Sequence, residues 1–191
     1  MYKKDKIFIA TKNEGKVKDF RKLLPGYEFS TLLDIDYPEI EETGQTFEEN
    51  ALIKAKTISK QFNVIVISDD SGLVCKGLKG DPGVYSARYA GTNNDSDNNK
   101  KLLKEIKGKN KDAKFVAVLC IYFPNDEYYF FRGEVEGRIV DEPKGTNGFG
   151  YDPLFFVDEY NKTFGQLSIE EKNTISHRKR AIQKLIDSNL L

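Results

Sequence analysis

The sequence predicts an α/β protein with a mixed β-sheet, and three observations carry that expectation. Short apolar runs at residues 6–10 and 64–67 alternate with segments of helical spacing in the first part of the chain. Two longer runs, 115–123 and 128–140, then follow one another across the turn Pro124-Asn125-Asp126-Glu127. Strands separated by helices favour parallel neighbours, whereas adjoining strands favour antiparallel ones, so one sheet should hold both kinds.

The elements follow in order. After the strand at 6–10, Val17, Phe20 and Leu24 keep helical spacing until Pro25-Gly26 stops them. Residues 34–45 are acidic and turn-rich. Thr46 and Glu49 have capping-box spacing, and Phe47, Ala51, Ala55, Ile58 and Phe62 fall on one face of the helix they open. Residues 91–100 read as a polar loop entering a helix through Leu102, Leu103 and Ile106. In the 128–140 run, Phe131, Gly133, Val135, Gly137 and Ile139 alternate with Arg132, Glu134, Glu136 and Arg138. That pattern belongs to a strand with one wet face, its charges forming a cross-strand ladder. A final helix starts near Ser176 and buries Ile182, Leu185, Ile186 and Leu190.

Composition narrows the function. A chain of 191 residues fits a single domain spanning 1–191, with room for two lobes. Lysine plus arginine equals aspartate plus glutamate at 30 each, so no global positive field draws nucleic acid or an anionic membrane. No apolar run reaches membrane length, and Met1 to Lys6 lead into too few apolar residues for a signal peptide. The two isolated cysteines, Cys75 and Cys120, have neither zinc-site nor disulfide spacing and suit a reducing cytoplasm. His177 is the single histidine, so a metal, if bound, needs oxygen ligands and would be magnesium or a similar hard cation.

Five segments carry candidate chemistry. Gly145, Gly148 and Gly150 alternate with Phe149 and Tyr151 before Asp152-Pro153. An aromatic face and a fixed carboxylate on relaxed backbone suit a flat ring with N–H groups, although a hairpin turn uses the same residues. Thr11-Lys12-Asn13-Glu14-Gly15-Lys16 sits between a strand and a helix, where unpaired N–H groups attract phosphate; an ordinary capped helix start is the alternative. Ser68-Asp69-Asp70-Ser71-Gly72 follows an apolar strand, and its adjacent carboxylates should repel unless one holds a cation or a proton. With Glu41-Glu42-Thr43-Gly44 it forms either a magnesium site or a pair of solvated acidic turns. Finally, Arg178, Lys179 and Arg180 stand in the first turn of the last helix, against its dipole. An external anion, with Lys172 joining, would relieve that conflict; so would solvation.

Taken in order along nearly the whole chain, these pieces resemble the Ham1/RdgB family of inosine triphosphate pyrophosphatases. Further matches are Glu48-Glu49-Asn50-Ala51, residues 82–89 and Ser176-His177-Arg178. The resemblance implies an elongated mixed sheet flanked by helices, two lobes with a central substrate cleft, and a cytoplasmic homodimer. It implies magnesium-dependent hydrolysis of ITP, dITP and XTP to the monophosphate and pyrophosphate. It also implies a triphosphate loop at Thr11, Lys12, Asn13, Glu14, Gly15 and Lys16, with magnesium on Glu41 and Asp70 and Asp70 activating water. Ser71, Lys172, His177 and Arg178 would be further substrate contacts, and Phe149, Gly150, Tyr151 and Asp152 the base pocket. His177 and Arg178 would donate to the purine 6-oxygen, and Asp152 would accept a ring N–H. A Maf-like pyrophosphatase of other base preference, a non-catalytic nucleotide sensor and an RNA-binding protein are the alternatives. The first lacks its amino-terminal serine–arginine motif here, the intact acidic set disfavours the second, and neutral charge disfavours the third.

Overall fold

The computed structural model describes residues 7–191, so Lys6, the expected start of the first strand, lies outside the described residues. The strands are β1 (Ile7–Ala10), β2 (Phe29–Thr31), β3 (Ile65–Cys75), β4 (Asp112–Tyr122), β5 (Tyr128–Ile139), β6 (Phe155–Val157) and β7 (Lys162–Thr163). The helices are α1 (Glu14–Leu23), α2 (Phe47–Phe62), α3 (Asp95–Ile106), α4 (Ile169–Ile175) and α5 (His177–Asp187). The strands form a seven-stranded sheet in the order β2-β1-β3-β4-β5-β6-β7. β1 lies parallel to both β2 and β3, with Ile9 opposite Thr31 and Ile67. β6 runs antiparallel to β5 and β7, so the sheet is mixed as the element order predicts.

Two compact units share this chain. The first comprises the chain through Asp70 with Ala117–Gly133 and Arg178–Leu191; the second comprises Ser71–Val116 and Glu134–His177. Each has its own core. Ile9, Phe20, Ile67, Leu119 and Ile182 meet in the first, and Leu73, Leu102, Phe115, Phe155 and Phe164 in the second.

Local chemistry explains most element ends. The Asn13 side chain caps α1 by accepting from Lys16 N, and the helix closes at Leu24 before Pro25-Gly26. Thr46 and Glu49 make the expected capping box at the start of α2. Phe47, Ala51, Ala55 and Ile58 are buried as predicted, together with Asn50 and Lys54 on the same stripe. Phe62, however, is 41% exposed. It lies flat on the Phe8 ring at 5.8 Å, since α2 ends there at the left-handed Asn63.

Four expectations change. β3 does not stop at Ile67 but continues through Ser68-Asp69-Asp70-Ser71-Gly72, because partners within the fold meet the buried Ser68 and Asp69 side chains. Residues 95–100 of the 91–100 segment belong to α3, whose cap is Asn94 accepting from Asp97 N; the residues that favour turns also start helices. Of the β5 charges, Glu134 pairs with Lys114 of the neighbouring β4 at 2.8 Å. Arg132 instead reaches Glu48 of α2 at 2.8 Å, and Arg138 reaches Asp158 at 3.3 Å. In α5 the buried apolar side chains are Ala181, Ile182 and Leu185, while Ile186 is exposed. Helix α4 was not foreseen, although Ser168 and Glu171 form a complete capping box there.

Replacing Thr46 by Ala removes one half of the α2 box and should lower the unfolding free energy by about 1 kcal/mol. A urea titration should show this as a lower midpoint with an unchanged slope.

Candidate active site

The chemistry of the first unit is organised around Asp69, which is 0% exposed. Side chains alternate along a strand, so Asp69 and Asp70 leave β3 on opposite faces. The Asp69 carboxylate receives Lys16 Nζ at 2.6 Å on Oδ1 and Arg178 Nε at 2.7 Å on Oδ2. Arg178 also holds Asp19 of α1 through Nη1 at 2.6 Å. Burial alone would raise the Asp69 carboxyl, but Arg178 and Lys16 outweigh it and hold the group far below the usual carboxylate range. Burial likewise opposes the charge on Arg178, yet Asp69 and Asp19 raise its pKa further and keep it charged.

Asp70 has the opposite character. Burial is the leading influence on it and pushes its carboxyl above the ordinary value, against the pull of Lys54 and Lys16. Its Oδ1 accepts from Lys54 Nζ at 3.2 Å, while Oδ2 is buried with no hydrogen-bond partner. Lys54 also reaches Glu42 Oε1 at 2.6 Å and the Asp69 carbonyl at 2.9 Å. Burial opposes the Lys54 charge, but Asp70 and Glu42 outweigh it and its pKa is raised. Neighbouring carboxylates whose environments drive them apart are suited to different tasks, one fixed as an anion and the other able to take up a proton.

Of the Thr11–Lys16 segment, Thr11, Lys12 and Asn13 lie between β1 and α1, and Glu14, Gly15 and Lys16 form the first turn of α1. Thr11 is buried and its hydroxyl accepts from Asn13 N at 3.1 Å, which shapes the turn into the helix. Lys12, Asn13 and Glu14 are exposed; Lys12 Nζ bonds the Tyr37 carbonyl and Glu14 stands 4.0 Å from Lys18. Gly15 is half-buried, and Lys16 lies on the helix face that reaches Asp69, bonding both its carboxylate and its carbonyl.

In the second unit the glycine–aromatic run folds back on itself. Asp152 is 2% exposed, and its Oδ2 accepts from Phe149 N at 2.9 Å and from Lys172 Nζ at 2.5 Å. That carboxylate occupies the space a Cβ on Gly148 would need, at a φ of +78°. The Lys172 ammonium also lies 4.9 Å from the Phe149 ring centroid and 5.5 Å from that of Phe164. Tyr151 is buried and anchors the run by donating to the Ser86 carbonyl at 2.8 Å. His177 packs its ring against Phe115, with centroids 4.8 Å apart and planes within 13°.

Several residues singled out in the sequence have partners within the fold. At the start of α5, Arg178 meets an internal anion, Asp69 with Asp19, which relieves its conflict with the helix dipole. Asp152 Oδ2 accepts from its own loop and from Lys172. Glu41 is exposed, and it is the adjacent Glu42 that shares Lys54 with Asp70. Ser71 is half-buried on β3 and belongs to the second unit. Two contributors were missed, Lys54 and Asp19. The signal for Lys54 was a lysine on the apolar stripe of α2, where a charge needs a buried partner; Asp19 gave none.

Comparison with known proteins settles the lineage. The model of the Ham1 family matches residues 7–188. The chain belongs to the Ham1 family. It is 58% identical over 186 residues to a dITP/XTP pyrophosphatase of Bacillus licheniformis, covering 94% of this chain and 95% of that protein. Among solved structures it resembles the Ham1 protein of Staphylococcus aureus, with TM-score 0.86 and 45% identity over 96% of this chain and 97% of that one. It also resembles a Ham1 protein of Coxiella burnetii, with TM-score 0.88 and 38% identity over 98% of each chain. In this Ham1 protein, Arg178→Ala should lower stability by roughly 3–5 kcal/mol, because Asp69 stays buried without its principal counter-ion. A chemical denaturation loss below about 1 kcal/mol would show instead that Lys16 alone compensates Asp69.

Proposed function

We infer that this protein hydrolyses non-standard purine nucleoside triphosphates, dITP, XTP and ITP, to the monophosphate and pyrophosphate. Family membership and the activity named for its relatives support the reaction class. The observation that carries the site assignment is Asp70, a buried carboxylate raised by burial, with an unpartnered oxygen beside lysines and a helix amino terminus.

Asp70 takes the proton of the attacking water as the anhydride bond breaks between the leaving pyrophosphate and the monophosphate. Lys16 and Lys54, with the N–H groups of the first turn of α1, offset the charge that develops on the leaving group. The Thr11–Lys16 segment binds the triphosphate. For the ring, Phe149 supplies the stacking face, with Gly150, Tyr151 and Asp152 shaping the seat. An ammonium has three donors and no acceptor, so Lys172 suits the 6-oxygen of hypoxanthine or xanthine and not the amino group of adenine. His177 and Ser71 complete the proposed contacts.

The donor set fits a hard divalent cation, since Asp70 Oδ2 is a carboxylate oxygen with no partner. We assign it magnesium, held by Asp70 and Glu41, the latter from the segment whose Glu42 shares Lys54 with Asp70. Bound there, magnesium would neutralise phosphate charge and acidify a water ligand. A homodimer in the cytoplasm completes the proposal. It is consistent with described residues that contain no helix long and apolar enough to cross a membrane.

Asp70→Asn should retain the fold and lower turnover on dITP by about a hundredfold or more. Near-normal turnover would remove Asp70 as the base. Pyrophosphate release from dITP, XTP, ITP, dATP and dGTP, with and without magnesium, tests the whole reading. Equal rates on all five, or none on any, would defeat it.

A further inference from the structure

The Phe149–Asp152 run contains a contact that the catalytic scheme does not use. Gly150 has φ +61°, and no atom lies within 4 Å of where its Cβ would be. The residue therefore gains nothing from side-chain packing. Both of its backbone polar groups are instead held by α3. Gly150 N donates to Asp95 Oδ2 at 2.8 Å, and Asn99 Nδ2 donates to Gly150 O at 3.0 Å. Asp95 and Asn99 stand one helical turn apart, so a single face of α3 presents an acceptor and a donor at the spacing of one peptide unit. The acceptor at Gly150 O also fixes the Asn99 amide orientation, and Asn99 Oδ1 is left buried with no partner. An unsatisfied buried oxygen is unfavourable, and here it accompanies a hydrogen bond to the loop.

Asp95, Asn99, Gly148, Phe149 and Gly150 border one cavity of about 410 Å³. On that side the loop rests on open space, so hydrogen bonds rather than packing set its position. On either side of Gly150 the chain is fixed by other means: Tyr151 donates to Ser86 O at 2.8 Å, and Phe149 N is held by Asp152. Gly150 is the point where the Phe149 ring could swing if its peptide were released.

We propose that Asp95 and Asn99 are positioning residues that clamp Gly150 and so set the plane of the Phe149 ring against a bound purine. Neither touches substrate; they act through the loop. This rests on Phe149 being the base seat. A displaced seat weakens binding and blurs discrimination between bases, with less effect on the reaction at phosphorus.

The test compares Asp95→Ala, Asn99→Asp and Asp95→Asn. Asp95→Ala removes the acceptor, and Asn99→Asp sets a carboxylate against the Gly150 carbonyl. Each should raise KM for dITP about tenfold, keep kcat within about threefold, and narrow the dITP-to-dATP efficiency ratio by about tenfold. Asp95→Asn keeps an oxygen facing Gly150 N and should restore both KM and the ratio. Amide exchange at Gly150 should quicken about tenfold in the first two variants and not in the third, a reading that needs no substrate. Unchanged exchange in all three would overturn the clamp. So would unchanged KM and base ratio, a fall confined to kcat, or failure of Asp95→Asn to restore function. If exchange quickens while wild-type protein releases no pyrophosphate from dITP or XTP, the clamp stands and the proposed function fails.

Discussion

A fully buried carboxylate, Asp69, organises the first unit. Taking it out of water is unfavourable by several kcal/mol, and only well-aimed counter-charges make that tolerable. Arg178 from the start of α5 and Lys16 from the first turn of α1 supply them, and Asp19 completes the chain of charges. Two elements far apart in sequence, α1 and α5, are thereby tied to β3. Asp70, next along the strand, is left with a raised affinity for protons and an open oxygen. The two carboxylates are neighbours, and their opposite affinities for protons come from what faces them.

The second unit solves another problem by other means. The segment carrying Phe149 has little apolar surface to bury, and its glycines permit many conformations. Here side chains hold the backbone one peptide at a time: Asp152 at Phe149, Asp95 and Asn99 at Gly150, Ser86 at Tyr151. A loop fixed by hydrogen bonds can present an aromatic face without packing it into the core. Lys172, bonded to Asp152 and lying over Phe149 and Phe164, places a positive donor beside that face.

Much of the fold was legible because its causes are local. Thr46 with Glu49, Asn13 with the Lys16 amide, and the apolar stripe of α2 operate within a few residues, so spacing reveals them. The candidate segments were equally visible, since glycines, adjacent carboxylates and a basic helix start are unusual in ordinary core or surface. What spacing could not reveal was the pairing. A strand through Ser68 to Gly72 looks wrong until Lys16, Lys54 and Arg178 are known to meet it. The choice between Glu41 and Glu42 is likewise invisible in an acidic run, because it depends on which carboxylate the loop turns toward Lys54.

By itself the sequence determined the mixed α/β class, the starts of α1, α2 and α5, the segments singled out for chemistry and the resemblance to the Ham1 family. Each of these follows from short-range periodicity, capping and ordered motifs. The tertiary structure alone decided that Arg178 neutralises Asp69, that Lys54 joins Glu42 to Asp70, and that α3 grips Gly150. These contacts join residues from 12 to 109 positions apart, and a charge or amide has no preferred partner until the fold brings one within reach.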